Sequence, residues 1–277
     1  MNTGVLMRNH WKNEYGPFVL LIGFLVLSLW GCHREGVDLR EMTPEEQFDY
    51  AKQIFDKKDY YKAKMQFTII VLNNPGSRII EKAQFYLAES YFHSKEYILA
   101  VEEYEKLIRS LPQSSFVDDA RYKIGMSYFK LAPGYALDQE YTHKAVSEFQ
   151  LFLEEYPASE LRPEVEERLE ECRDKLAKKD FKNGELYRKL GFYKAACIQF
   201  DSVLEKYYDT QFADDALFWK GECHRKLGEW QEAEKAFQDL LEKYVQSVWV
   251  PKAEEKLNEV RRERENQSQE VLGRSNR

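Results

Sequence analysis

The chain has 277 residues, with 41 basic against 48 acidic side chains and a net charge of -7. That acidic balance excludes the basic surface a nucleic-acid partner would need. Four cysteines and five histidines are present, and HExxH, CxxC, G-x-S-x-G and glycine-rich phosphate motifs are all missing, so no catalytic residue, cofactor or metal site is expected and the chain is not read as an enzyme.

In chain order, Arg8 and Lys12 precede an apolar run from Pro17 to Trp30, which stops at Gly31-Cys32. The run is shorter than the ~20 residues that a spanning helix needs. Positive charge, apolar stretch, small residue and cysteine in that order read as a bacterial lipoprotein signal. Residues 1–31 are then a signal peptide, Cys32 is the lipidation site, and residues 32–42 form a tether. Trp30 stands where a small side chain is usual. His33 and Arg34 follow the cysteine, with no Asp among them, which favours the outer membrane. Stable anchoring needs two or more acyl chains on Cys32, because the acidic mature chain has no electrostatic grip on a membrane.

The remainder is repetitive. Tyr60–Phe67 returns as Tyr97–Tyr104, then at Thr142–Phe149, Tyr193–Phe200 and Trp230–Phe237. Ala63, Ala100, Ala145, Ala196 and Ala233 occupy one register, and Thr142 alone breaks the leading aromatic. A preceding helix carries a small residue at Ala51, Ala88, Gly125, Gly184 or Gly221. Small residues let helices approach, and an aromatic one turn on fills the gap. Ser77, Ser114, Ser159, Thr210 and Ser247 share a register from which their oxygens can cap the next helix. Asp118-Asp119 and Asp214-Asp215 fall in first turns, where acids favour the helix N-terminus.

This is the tetratricopeptide (TPR) pattern of stacked helix–turn–helix units. The expected fold is all-α, a solenoid of five repeats over residues 43–245 with a capping helix from Pro251 to Arg264. Two insertions divide it. One, at 131–141, lies in the hairpin of repeat three. The other, from Pro163 to Leu176, has no breaker and extends the first helix of repeat four by about four turns. Repeats 1–3 then span 43–157. The extended helix, repeats 4–5 and the cap span 158–264, and residues 265–277 are expected to be disordered. Cys172, Cys197 and Cys223 lie in helices as buried thiols, with one disulfide between two of them left open.

Seen from the small residue at position eight, position five holds Phe48, Phe85, Tyr122, Phe181 and Phe218. Position twelve holds Phe55, Phe92, Phe129, Arg188 and Arg225. Phe48, Phe55, Phe85, Phe92, Tyr122 and Phe129 make a candidate groove for an extended, aromatic-containing peptide. Arg188 and Arg225, with Lys189 and Lys226 beside them, make a candidate docking surface for a folded partner.

The lipobox cysteine, the five repeats and the long linking helix, together with Asn74–Phe92, Leu111–Phe129 and the insert at Asp138–Thr142, resemble the BamD family. Those are the TPR lipoproteins of the outer-membrane β-barrel assembly (BAM) machinery. The resemblance implies lipid anchoring at the periplasmic face of the outer membrane. It implies recognition of the C-terminal signals of unfolded outer-membrane protein precursors by the N-terminal repeats. It further implies contact between the C-terminal repeats and a POTRA domain of a BamA-like Omp85 barrel protein, and leaves room for other assembly lipoproteins. Two other classes stay open: a TPR cell-envelope coordinator linking wall synthesis to the outer membrane, and an accessory TPR lipoprotein of a transport complex.

Overall fold

The computed structural model describes residues 41–275, with side chains to 269. The leader, Cys32 and most of the tether lie outside the described residues. Residues Pro44–Arg277 form one compact unit. Among the described residues there are eleven helices and no strand: α1 Pro44–Asp56, α2 Tyr60–Asn73, α3 Ile80–His93, α4 Tyr97–Ser110, α5 Val117–Leu131, α6 Glu140–Glu155, α7 Arg162–Lys189, α8 Tyr193–Lys206, α9 Ala213–Leu227, α10 Trp230–Lys243 and α11 Val250–Ser275. They pack in sequence, each on its neighbours, as five hairpins and a closing helix. None is long and apolar enough to cross a membrane.

The hairpins close on the small-residue register. In α5, α7 and α9 the glycine is bare because a ring from the second helix occupies the β-carbon's place. A Cβ on Gly125 would stand 2.5 Å from Phe149, one on Gly184 2.6 Å from Phe200, and one on Gly221 2.8 Å from Phe237. The partner alanines Ala145, Ala196 and Ala233 are fully buried. Ring and glycine interlock, so each hairpin has one helix spacing at which it packs without a void.

The hydroxyl register works differently from the sequence expectation. Ser114 and Ser159 accept from the N–H groups two residues on, at Phe116 and Leu161, both at 3.2 Å. The N-cap residues are Phe116 and Leu161 themselves, and neither has a side-chain cap. Ser77 and Thr210 instead donate back, to the carbonyls of Asn74 and Tyr207. An oxygen three positions ahead of the first helical residue reaches the turn and stops short of the first helical N–H groups. A side-chain cap occurs at α2, where Asp59 Oδ1 accepts from Lys62 N at 3.3 Å.

Helix α7 joins the two halves. Its first turns put Val165 and Cys172 among Tyr122, Phe149 and Phe152 of repeat three. Its last turns put Phe181 and Gly184 against Phe200 of repeat four. At 28 residues it is about 42 Å long. One rod therefore closes the first block and opens the second.

The insertion before α6 is held internally. Gln139 is buried and donates to the carbonyls of Gly134 and Leu137 at 2.9 and 3.0 Å. Thr142 is fully buried and donates to Gln139 Oε1 at 2.7 Å. The residue that breaks the aromatic pattern is thus the anchor of the insert. Lys179 Nζ, on α7, adds a bond to the Leu137 carbonyl at 2.7 Å.

The C-terminus corrects an expectation. The chain from 265 onward, read as disordered, continues α11 as helix to Ser275. Trp230 Nε1 donates to Gln267 Oε1 at 2.5 Å, beyond the point where the apolar pattern ends. Arg261 and Arg264 both bind Glu234 of α10. The helix is carried on by polar contacts, which a search for apolar periodicity does not see.

Candidate functional site

Position five is core. Phe85, Tyr122, Phe181 and Phe218 are all less than a tenth exposed. Phe85 and Tyr122, expected on the groove, are withdrawn from it: Phe85 stacks on Phe116 at 4.8 Å, and the Tyr122 hydroxyl donates to Glu164 Oε1 at 2.5 Å. These side chains join one repeat to the next. Phe48 is half-buried, with its ring 5.7 Å from Phe67 and 5.8 Å from Tyr86.

Position twelve is different. Phe55, Phe92 and Phe129 are half-buried, each with part of its surface open. Each meets a side chain from the following repeat, and a simple register governs which one. The position-twelve side chain touches position six of the next first helix, 31 residues on. Phe55 meets Tyr86 edge-on at 5.3 Å. Phe92 lies under Lys123 Nζ at 4.8 Å. In the second block the partners exchange roles, and the Arg188 guanidinium lies 3.9 Å from the Trp219 ring centre. The extra turns of α7 break the register for Phe129, which faces Lys175 at 5.5 Å and Arg168 at 6.0 Å.

The result is a row of rings with cations beside them. Lys52 stands 5.8 Å from Phe55. A cation over an aromatic face is attracted by the ring quadrupole. Such a row offers apolar surface for a ring and positive charge for a carboxylate. Sequence reading missed the cations, although the repeat register itself was the available signal for Lys123.

A buried ion cluster stiffens the middle of the row. Glu89 of α3 is 7% exposed and accepts a short hydrogen bond from the Tyr104 hydroxyl. Lys123 Nζ lies 3.0 Å from Glu89 Oε1, and His93 Nε2 lies 3.4 Å from Glu89 Oε2. Burial alone would raise the Glu89 carboxyl. The His93 hydrogen bond, the Lys123 charge and the Tyr104 hydroxyl together outweigh it and leave the group below its usual value. Lys123, which covers Phe92, is thereby held by a fixed anion. His93 also stacks on Tyr60 at 4.9 Å and contacts Phe55.

The arginine row of the second block is largely spoken for. Arg225 pairs with Glu222 at 3.2 Å and with Glu263 of α11 at 3.5 Å, so it ties α9 to the terminal helix rather than facing outward unpaired. Arg188 lies on Trp219, and its buried Nε has no hydrogen-bond partner. Lys189 and Lys226 are exposed.

The paired aspartates are inter-repeat clips as well as first-turn acids. Asp118 Oδ1 accepts from Asp119 N, and Asp214 Oδ1 from Asp215 N. Their other oxygens reach forward: Ser159 Oγ donates to Asp118 Oδ2 at 2.9 Å, and Ser247 Oγ to Asp214 Oδ2 at 2.6 Å. Cys172, Cys197 and Cys223 are free and buried. Among the described residues no group of His, Cys, Asp or Glu is arranged to hold a metal ion.

The solved structures similar to this chain include a tetratricopeptide repeat protein from Parabacteroides merdae, at 16% identity over 83% of this chain and 76% of that one, with a TM-score of 0.34. The TPR2AB domain of yeast Sti1, solved with pHSP90, is similar at 13% identity over 84% and 95%, with a TM-score of 0.39. PilW, a type IV pilus biogenesis factor, is similar at 15% identity over 78% and 97%, with a TM-score of 0.35. Overlaps this loose carry no functional information. Among curated proteins, none matches the chain by sequence. The model of the YfiO family, described as outer membrane lipoprotein, matches residues 40–240, well over half of the chain. The chain belongs to the YfiO (BamD) family of outer membrane lipoproteins.

Proposed function

We propose that the first three repeats, residues 43–157, receive the aromatic C-terminal end of an unfolded β-barrel precursor along Phe55, Phe92 and Phe129. As a family member the protein is a non-enzymatic TPR lipoprotein, anchored at the periplasmic side of the outer membrane and belonging to the β-barrel assembly machinery. Cys32 is its lipidation residue in this reading. The observation that carries the client assignment is the pairing of half-open rings with cations, Phe92 under Lys123 and Phe129 beside Lys175. An unfolded chain ending in an aromatic residue offers a ring and a terminal carboxylate, and the row has a complement for each. Phe85 and Tyr122 serve by joining the repeats that carry the row.

The second block, residues 158–264, docks the POTRA region of a BamA-like Omp85 barrel protein. Lys189, Lys226 and the Trp219-stacked Arg188 supply the contacts, and Arg225 holds α11 in position behind them. An Arg on a Trp face is a pre-organised interface group.

The test is fluorescence anisotropy with a peptide ending in an aromatic residue. Replacing Phe55, Phe92 and Phe129 together by Ala should weaken binding about tenfold or more. Unchanged affinity in a fully helical variant would overturn the client assignment. Capture of the POTRA fragment that survives Lys189→Glu and Lys226→Glu together would remove the docking assignment separately.

A further inference from the structure

The outward face of α2 exposes four large apolar side chains, against Ile98 and Leu99 on α4 and Ile198 on α8. Tyr61 is 67% exposed, Met65 50%, Ile69 38% and Leu72 70%. At 100° per residue these four fall within a sector of about 80°, one continuous stripe. The opposite face of the same helix is already used: Ala63, Phe67, Ile70 and Val71 are in the core. A helix apolar on both sides has a second apolar contact to make.

The repeat register supplies an internal control. Met65 is replaced by Glu102, Ser147, Ile198 and Lys235 in α4, α6, α8 and α10, and Leu72 by Arg109, Glu154, Glu205 and Glu242. The exposed Ile198 stands between Lys194 and Ser202 in the same register. Most equivalent positions are polar or charged, so the stripe on α2 is not a requirement of TPR packing. Among the described repeats the first carries all four apolar positions, and the others carry at most one.

We propose that this stripe rests on the lipid surface to which the chain is anchored. Twelve residues lead from Cys32 to Pro44, and a chain of that length extends at most about 40 Å. The first repeat is therefore the part of the solenoid that the anchor holds nearest the bilayer. Tyr61 at the start of the stripe is a side chain suited to the headgroup layer, with Met65, Ile69 and Leu72 for the acyl boundary. Lys57, Lys58 and Lys62 are exposed at the same end. Lys62 is shared with Asp59 at 2.8 Å, and Lys57 and Lys58 carry charge that suits anionic headgroups. An acidic chain thus places three exposed lysines beside the apolar stripe of α2. Seated this way, the lipid-anchored protein gains a second attachment that fixes the orientation of the peptide-receiving row.

The experiment uses the full lipidated protein in vesicles of phosphatidylethanolamine and phosphatidylglycerol. An environment-sensitive fluorophore is placed on Met65→Cys, and on Glu102→Cys as the register-matched control. The label is introduced in a Cys197→Ala background, since Cys197 is the most reactive of the three native helix thiols. The same chain labelled without the new cysteine gives the background from Cys172 and Cys223, which are buried. Lipids brominated on their acyl chains should quench the label at 65 about threefold more than the label at 102. Leu72→Cys serves as a second position if the first variant is poorly folded. Equal quenching at 65 and 102 overturns the proposal. So does energy transfer between labels on two chains, which would mean that a second copy covers the stripe. Shielding of position 65 in native outer membranes but not in protein-free vesicles would assign the stripe to a protein partner and also overturn it.

Discussion

The Phe237 ring lies 2.8 Å from the place a β-carbon on Gly221 would take. The same fit holds Phe149 to Gly125 and Phe200 to Gly184, so three hairpins share one interlock. Gly221→Ala gains helix propensity of about 1 kcal/mol but forces a fully buried ring to move, at a cost of about 1–3 kcal/mol. The expected net effect is a modest loss of stability, read as a lower urea midpoint. A variant as stable as the parent or more so would mean that the ring moves freely.

Ser247 and Asp214 form the last clip between repeats, and Trp249 seals it. The Trp249 ring stacks on Phe218 at 4.1 Å, and its indole N–H binds Asp215. Asp214→Ala leaves the Ser247 hydroxyl without its acceptor and should destabilise the second block by about 1 kcal/mol. Hydrogen exchange should rise in residues 244–253 and stay unchanged in α1 to α4. Uniform loosening of the whole chain would contradict a local clip.

How much of this was legible in the sequence differs by residue. Period, small-residue register and the length of α7 follow from steric demands that recur in every repeat, and such demands leave a pattern. Phe85 and Tyr122 were misjudged as groove residues because positions five and twelve share a helix face. Only the next repeat decides which of the two it covers. Lys123 was recoverable, since Phe55 with Tyr86 and Phe92 with Lys123 obey one 31-residue offset. Lys175 was not, because the extra turns of α7 shift the register by an amount that only coordinates give. The helical run to Ser275 escaped notice because Glu234 and Trp230 hold it through polar groups, and these have no periodic signature.

The thiols should differ sharply in reactivity. Burial pushes Cys172 up to about 12, and its side chain is fully buried. Cys197 is pushed down, first by the Cys223 thiol donating to its sulfur and then by His224. Cys223 is correspondingly pushed up. His224 is itself held toward its charged form, first by Cys197 and then by Glu229 Oε2, 2.7 Å away. Since the thiolate is the nucleophile, a small thiosulfonate reagent at neutral pH should modify Cys197 first and Cys172 last. Peptide mass spectrometry over time reads the order. Equal rates at 172 and 197 would be evidence against the pairing.

Glu89 makes the first block acid-sensitive. Its folded carboxyl is held below 4.5, so its charged form stabilises the fold. That contribution is complete above the unfolded value and is lost as pH falls through the depressed folded one. Glu89→Gln should cost about 1–3 kcal/mol at neutral pH, because Lys123 loses a buried partner. The gap between parent and variant should close as pH drops below 4.5. Urea titrations at neutral and acid pH measure it, and a gap independent of pH would show that the charge contributes nothing.

The terminal helix depends on one carboxylate. Glu234 has a side chain only 12% exposed, and it receives Arg261 Nε at 2.8 Å and a second, shorter contact from Arg264. Arg225 adds Glu263 at 3.5 Å. The apolar seam of α11 ends at Val260, so beyond it these bonds, with that from Trp230 Nε1 to Gln267, fasten the helix to α10 and α9. Glu234→Ala frees two cations at once and should cost about 1–2 kcal/mol locally. Hydrogen exchange in residues 261–268 should rise at least tenfold, an opening free-energy change of about 1.4 kcal/mol, while Ala253 and Leu257 keep their protection. The same measurement on Arg225→Ala should give a smaller rise, since Glu263 is the more distant contact. If residues 261–268 exchange equally fast in the parent chain, the polar seam does not hold the helix in solution.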